Sequence, residues 1–290
     1  MKGIILAGGS GTRLHPSTLS VSKQLLPVYD KPMIYYPLST LMLAGVQEVL
    51  IISNPEYIDS YRTLLGNGNM WGMQFSYIVQ KSPRGLADAF ILGEEFIDNK
   101  PVSMMLGDNI LYGSTLVEKL TNATKIEKGA VIFAYQVKDP ERFGIVEFDQ
   151  NRKAISLEEK PANPKSHYAI PGVYFYDGKV CEYAKSLKPS SRGEIEITDL
   201  NRIYLDLGQL DVMVLGRGVA WLDAGTPEAL LQAANFIQAV QDRQGFKISC
   251  PEEIAYRKQF IDKNQFIELI RQAKNPDYKK YLDEVLNYET

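Results

Sequence analysis

Three glycines, an arginine and a lysine follow the first apolar run of the chain. They are Gly8, Gly9, Gly11, Arg13 and Lys23, within "ILAGGSGTRLHPSTLSVSKQLLPV" over residues 5–28. Glycines remove side chains, so several backbone N–H groups can converge on one anion. Arg13 adds a planar fork suited to phosphate, and Lys23 a mobile point charge. Two familiar cradles are excluded by counting. A G-x-G-x-x-G dinucleotide fingerprint begun at Gly9 needs glycine where Leu14 stands, and a P-loop's Gly-Lys-Ser/Thr run is absent. An NAD-dependent dehydrogenase is weakened accordingly.

Two acids come next, Asp108 in "MMLGDN" and Asp223 in "WLDAGT", each following a strand-like stretch. Both belong at the sheet edge that carries the glycine loop, where α/β proteins bind ligands. Each could cap a turn, or the two together could hold Mg2+, which takes one or two protein carboxylates beside phosphates and waters. Gln80 ends a strand, and its amide offers both a donor and an acceptor. Glu159 reads as a hydrogen-bond acceptor in a site or as an exposed strand-end acid, and Glu158 rather as the second. Taken singly, Lys160 and Arg192 read as solvated surface charges. His15 and His167 are the only histidines, too few for a zinc hydrolase or a Ser-His-Asp enzyme. Cys181 and Cys250 stand far apart without metal-ligand spacing and read as buried reduced thiols.

The elements that must position these residues alternate. Residues 3–6, 48–52, 75–79 and 102–106 read as strands, and 33–44, 57–65 and 86–96 as helices by their three- and four-residue apolar spacing. Gly45 and Gly66 are natural C-terminal caps, and Pro37 makes the first helix start late or kink. The pattern implies an α/β fold with a sheet covered on both faces. After residue 129 strands dominate, at 130–137, 143–148, 154–159 and 172–176, then a helix at 198–207 and strands at 212–215 and 219–222. Thr226-Pro227-Glu228 is a helix start, with a hydroxyl cap, proline at the first position and an acid facing the dipole. Residues 227–290 read as a helical extension packed on the α/β domain of 1–226, with restarts at Pro251 and Pro276.

The 290 residues are 45% hydrophobic and 23% charged, with a net charge of −3. No basic field is available to attract nucleic acid, so anions must be held by a few placed cations. No apolar run approaches the roughly 20 residues that span a bilayer. Met1-Lys2 leads directly into a strand-like stretch with no signal-peptide pattern. A cytoplasmic protein with neither nucleic acid nor membrane as partner is expected.

Over most of its length the chain resembles the sugar-1-phosphate nucleotidylyltransferases, and within them the thymidylyl-transferring members. "LAGGSGTRLHP…SKQLLPV", "QKSPRGLADAF", "LGDN", "RFGIVEFD", "EEKP", "PGVYFYD", "RGEIEITDLN" and "WLDAGT" appear in the family's order. The resemblance implies a Rossmann-like, mostly parallel or mixed central sheet flanked by helices, with a helical C-terminal extension. It implies dTTP and glucose 1-phosphate as substrates, with UTP as the alternative nucleotide. A non-catalytic sugar-nucleotide sensor on the same fold is the reading from another class. Mg2+ then falls to Asp108 and Asp223, the triphosphate to Arg13 and Lys23, and the sugar phosphate to Lys160 and Arg192. Substrate contacts extend to Ser10, Thr12, Gln24, Pro83, Gly85 and Gly107, with the Gln80 amide matching N3–H and a carbonyl of thymine or uracil, Glu159 accepting from sugar hydroxyls, and Gly144 and Val173 offering main-chain groups to the sugar. The family also implies a homotetramer, and a second nucleotide site for feedback by an end product such as dTDP-rhamnose. Tyr112-Gly113-Ser114 and Gly216-Arg217-Gly218 are the segments expected there.

Overall fold

In the computed structural model, which describes residues 1–9 and 11–288, the first strand lies inside the main sheet. In chain order the strands are β1 (Lys2–Leu6), β2 (Pro27–Val28), β3 (Lys31–Pro32), β4 (Glu48–Ser53), β5 (Gln74–Val79), β6 (Val102–Leu106) and β7 (Asn109–Gly113). Then follow β8 (Ala130–Gln136), β9 (Gly144–Phe148), β10 (Ala154–Glu159), β11 (Tyr168–Ala169), β12 (Val173–Tyr176), β13 (Leu210–Val214) and β14 (Val219–Asp223). The main sheet runs β10-β9-β11-β8-β12-β6-β1-β4-β5, with β13 paired to β8. Its β6-β1-β4-β5 part is parallel, whereas β12 runs antiparallel to β6 and β8.

The near-continuous apolar run of β1 follows from burial on both faces. Side chains alternate across a strand. Ile4 therefore joins Leu50, Ile52 and Met104 in one core, and Ile5 joins Val49, Ile51 and Met105 in the other.

The helix expected at 33–44 spans Tyr35–Leu43. Pro37 sits in its first turn, where a missing N–H breaks no helical hydrogen bond. Gly45, at φ +87°, ends it: the Gly45 and Val46 N–H groups return to the carbonyls of Met42 and Leu41 at 2.9 and 3.0 Å. The helix expected at 86–96 is divided into Asp88–Leu92 and Glu94–Ile97. The break falls at Gly93, where an added Cβ would come within 3.1 Å of Leu50 and 3.4 Å of Ile4, so the backbone lies tight against the sheet.

The strand expected at 219–222 extends one residue further and pairs with β7 in a separate two-stranded ribbon, not with the main sheet. Pro227–Gln244 begins on the Thr226 cap, whose Oγ1 accepts from the Ala229 N–H at 3.2 Å. Helices also start at Pro251 and Pro276, and one more at Lys263 on an Asp262/Gln265 capping box. Cys250, Ile254, Phe266 and Leu282 from this tail share a core with Ile5, Leu38 and Trp71. Both cysteines are free and buried. Among the described residues no helix is long and apolar enough to cross a membrane.

Candidate active site

After β6 the chain turns through Gly107 and Asp108 and resumes as β7. A Cβ on Gly107 would meet Gln24 Cγ at 2.8 Å and the Leu6 carbonyl oxygen at 2.9 Å, so this turn is pressed against the first strand. Antiparallel pairing of β7 with β14 sets Asn109 opposite Asp223 and so delivers the second acid beside the first. Asn109 fixes the arrangement. Its Oδ1 accepts from the Gly172 N–H at 3.0 Å and from Trp221 Nε1 at 2.7 Å, and its Nδ2 donates to Asp108 Oδ1 at 2.9 Å. The Lys23 ammonium donates to the other Asp108 oxygen. Burial pushes the Asp223 carboxyl up, and the Asp108 charge adds to this, against the pull of Lys23, Arg13 and Arg142. Two carboxylates in that condition favour a cation between them. Among the described residues no group of three or more potential ligands occurs, so the donor set suits an ion completed by phosphates and water.

The glycine loop is clamped from outside. Asn54 accepts from the Gly9 N–H at 3.3 Å and donates to the Gly9 carbonyl at 3.1 Å, while Thr18 Oγ1 donates to the Gly11 carbonyl at 2.9 Å. Gly9 and Gly11, at φ +105° and +59°, take backbone conformations that a side chain would strain. Gln24 donates to the Gly8 carbonyl at 3.3 Å and is held in turn by Ser22 at 2.9 Å and Tyr61 at 3.3 Å. Exposed Arg13 reaches across toward Asp223: a Cβ on Gly225 would lie 3.0 Å from the guanidinium and 3.1 Å from that carboxylate.

Three lobes of one cleft share Asp108. The first, about 240 Å³, is lined by Gly8, Gly9, Gly11, Thr12, Arg13, Lys23 and Gln24. The second, about 200 Å³, is lined by Gln80, Pro83 and Gly85 together with Gly8, Gly9 and Gln24. The third, about 540 Å³, includes Arg13, Gly144, Glu159, Lys160, Thr198, Trp221 and Asp223. In it Glu159 accepts from Thr198, and Gly144 leaves the space beside them: a Cβ there would stand 3.2 Å from Thr198 Oγ1.

Other expected residues lie differently. Arg192 lines none of the three lobes: its guanidinium is 2.8 Å from Glu196, 3.4 Å from Glu159 and 3.5 Å from Glu194. Burial pushes the Glu196 carboxyl up, but bonds from Arg192 and Ser190 outweigh it and hold the carboxyl below its ordinary value. Val173 is fully buried in β12, opposite Met105, and lines no lobe. Gly107 shapes the turn without lining a lobe, and Ser10 lies outside the described residues. Arg142, absent from the sequence expectation, lines the third lobe and is paired with Asp139 at 2.7 Å. Asn54 and Asn109 were also not singled out. Only Asn109 carried a signal, its place beside Asp108 in "LGDN".

A separate cavity of about 300 Å³ lies behind the β7–β14 ribbon, lined by Leu111, Tyr112, Gly113 and Leu116 with Lys247, Arg257 and Lys258. Register sets Gly113 opposite Val219, so the two segments expected at a second site are neighbours, although Ser114 and Gly216-Arg217-Gly218 do not line this cavity.

Comparison with known proteins gives three findings of one kind. Residues 2–240 match the family model described as nucleotidyl transferase. The chain is 58% identical over 282 residues to a glucose-1-phosphate thymidylyltransferase of Neisseria meningitidis, covering 97% of this chain and 98% of that one. It is similar to the crystal structure of a Bacillus anthracis protein described as a glucose-1-phosphate thymidylyltransferase in complex with a sucrose, with a TM-score of 0.74, 44% identity, and coverage of 81% of this chain and 94% of that one. A UDP-glucose pyrophosphorylase complexed with UDP-glucose, at 24% identity and a TM-score of 0.71 over 84% of this chain and 99% of that one, shares the fold.

Proposed function

The chain belongs to the nucleotidyl transferase family, and on that premise we propose how its cleft joins a nucleoside triphosphate to a sugar phosphate. It is a nucleotidyltransferase that moves a thymidylyl group from dTTP to α-D-glucose 1-phosphate, giving dTDP-glucose and pyrophosphate. The observation that carries the site reading is the meeting of all three lobes at Asp108.

A phosphate oxygen of glucose 1-phosphate attacks the α-phosphorus of dTTP. The bond from that phosphorus to the oxygen bridging to the β-phosphate breaks, and the electron pair leaves with pyrophosphate. The attacking oxygen is already anionic, so no protein nucleophile is needed. The obstacle is bringing two polyanions together in line. Arg13 and Lys23, with the bare amides of Gly8–Gly11, hold the triphosphate, and Arg13 steadies the departing pyrophosphate. Gln80 faces the base, with Pro83 and Gly85 giving it room. Glu159 accepts from sugar hydroxyls beside Gly144. Lys160 holds the sugar phosphate, with Arg142 in the same lobe, and Arg192 joins them by exchanging Glu159 for phosphate. Asp108 and Asp223 would hold Mg2+, which supplies neutralisation of charge on the reacting phosphates.

A pyrophosphate-release assay with glucose 1-phosphate and either dTTP or UTP tests this reading. A higher kcat/KM with dTTP is expected. Turnover of UTP alone would make the protein a uridylyltransferase, and binding without turnover a sensor. The product feeds dTDP-deoxysugar synthesis such as that of dTDP-rhamnose for surface polysaccharides. The family resemblance supports a cytoplasmic homotetramer, a dimer of dimers. The basic-rimmed cavity at Tyr112 and Gly113 is the place proposed for feedback by an end product. Loss of inhibition by dTDP-rhamnose in Arg257→Ala would support it, and unchanged inhibition would refute it.

A further inference from the structure

We propose that Asp88 is a positioning residue that fixes which way the Gln80 amide faces, so that the nucleotide lobe accepts a thymine- or uracil-type edge and refuses a cytosine-type edge. The proposal rests on the reading of that lobe given above and names the residue behind its base selectivity. Asp88 is fully buried at the start of Asp88–Leu92. Its Oδ2 accepts from Gln80 Nε2 at 3.0 Å, and its Oδ1 accepts from the Arg84 guanidinium at 2.7 Å.

A carboxylate paired with arginine offers acceptors only, so the end of the Gln80 amide turned toward it must be the NH2. The amide oxygen then faces the lobe. It accepts from none of the described residues, and a Cβ on Gly8 would stand 3.4 Å from it. Oε1 and the second N–H of Gln80 are thus presented together. Thymine and uracil answer them with N3–H and a neighbouring carbonyl. Cytosine carries an acceptor at N3 and an amine at position 4, which requires the opposite amide orientation. Turning the amide over would set Oε1 against a buried carboxylate with no proton between them, leaving both acceptors unsatisfied. The base's 5-position plays no part, so the lock separates dTTP and UTP from dCTP but not from each other.

The test replaces the acceptor-only partner with one that can also donate. In Asp88→Asn the new amide can serve Gln80 in either orientation. The ratio of kcat/KM for dTTP to that for dCTP, with glucose 1-phosphate as co-substrate, should fall roughly 10- to 100-fold. KM for glucose 1-phosphate should move far less. In a Gln80→Met background the same substitution should leave the ratio where Gln80→Met alone puts it, because Asp88 acts through Gln80. A ratio within threefold of wild type, or an equal shift in both backgrounds, overturns the proposal.

Should Asp88→Asn not fold, Asp88→Ser decides, since a hydroxyl, like an amide, can both accept and donate. It should lower the ratio a few-fold, and an unchanged ratio overturns the lock. Calorimetric affinities for dTTP and dCTP give the same ratio without turnover. Failure of the wild type to turn over dTTP would therefore count against the activity, separately from the lock.

Discussion

At the nucleotide end of the cleft Lys23 is 10% exposed and meets Asp108, itself 19% exposed; at the sugar end Lys160 is 51% exposed and Arg192 39%. The nucleotide end stands on parallel strands buried on both faces, and its loop is clamped by Asn54, Thr18 and Gln24 before any ligand arrives. The sugar end stands on the β9–β10 edge and on Ile197–Asp206, where cations rest on carboxylates. A largely buried pair cannot lose one partner cheaply: an uncompensated buried charge costs ~3–5 kcal/mol. An exposed pair contributes only ~0–1 kcal/mol and can trade partners. The first arrangement fixes geometry, and the second offers charges that an incoming phosphate can take over. Substitutions at the nucleotide end should therefore strike turnover and stability together, and those at the sugar end should strike one KM.

Asp223→Asn, where the two ends meet, has the largest expected effect and separates turnover from stability. Turnover should fall roughly 100- to 1000-fold, in line with the loss of a principal charge-stabilising group. The metal-free protein should nevertheless melt a few degrees higher, because the variant carries no charge against burial and Asp108. Asp223 holds its proton more tightly in the folded chain than in the unfolded one. Its share of stability is thus present at low pH and lost as pH rises from the ordinary carboxylate range through the raised value. The gap between variant and wild-type melting points should open over that window, and Mg2+ should narrow it at neutral pH. A variant that melts lower at every pH would contradict the shift.

Gly85→Ala comes next. Gly85 has φ +104°, and an added Cβ would lie 2.4 Å from the Ile195 carbonyl oxygen. A loss of about 2–3 kcal/mol by denaturant titration is expected, with KM for dTTP raised and KM for glucose 1-phosphate little moved. Lys160→Ala should do the reverse. It should raise KM for glucose 1-phosphate roughly tenfold, as for one charged hydrogen bond, with the melting point and KM for dTTP near wild type. Added salt should weaken wild-type sugar-phosphate binding in the same direction. The smallest effect belongs to Glu196→Gln, which releases Arg192 from its shortest pair and should change KM for glucose 1-phosphate by only a few-fold. The stability contributed by that pair is present at neutral pH and lost as pH falls through the depressed Glu196 value, so the variant's melting point should converge on wild type in acid.

Residues tied to local pattern could be read from the sequence. β1 announces itself as an apolar run, the glycines as a turn after it, and Thr226-Pro227 as a helix start, because each signal lies within a few residues. Pairings over long separations could not. β7 pairs Leu111 with Trp221 of β14, and nothing within "NILYG" announces a partner so far along the chain. Asn54 and Tyr61 serve the glycine loop from beyond β4, and nothing near them in sequence points there. Arg192 has Glu194 and Glu196 beside it in sequence, but only folding adds Glu159 to them. Val173 stands near the third lobe in sequence order, yet pairing with Met105 buries it. Composition gives residue types, whereas the partners of charges come only with the fold.

The claim that both ends of the cleft deliver their substrates to one carboxylate is tested most directly at Asp108, by 31P NMR of wild type and Asp108→Asn supplied with dTTP, glucose 1-phosphate and Mg2+. Wild type should form one dTDP-glucose for each pyrophosphate, while the folded variant should form neither at more than roughly a thousandth of that rate. A wild type that forms no dTDP-glucose, or a variant within tenfold of it, would contradict that claim.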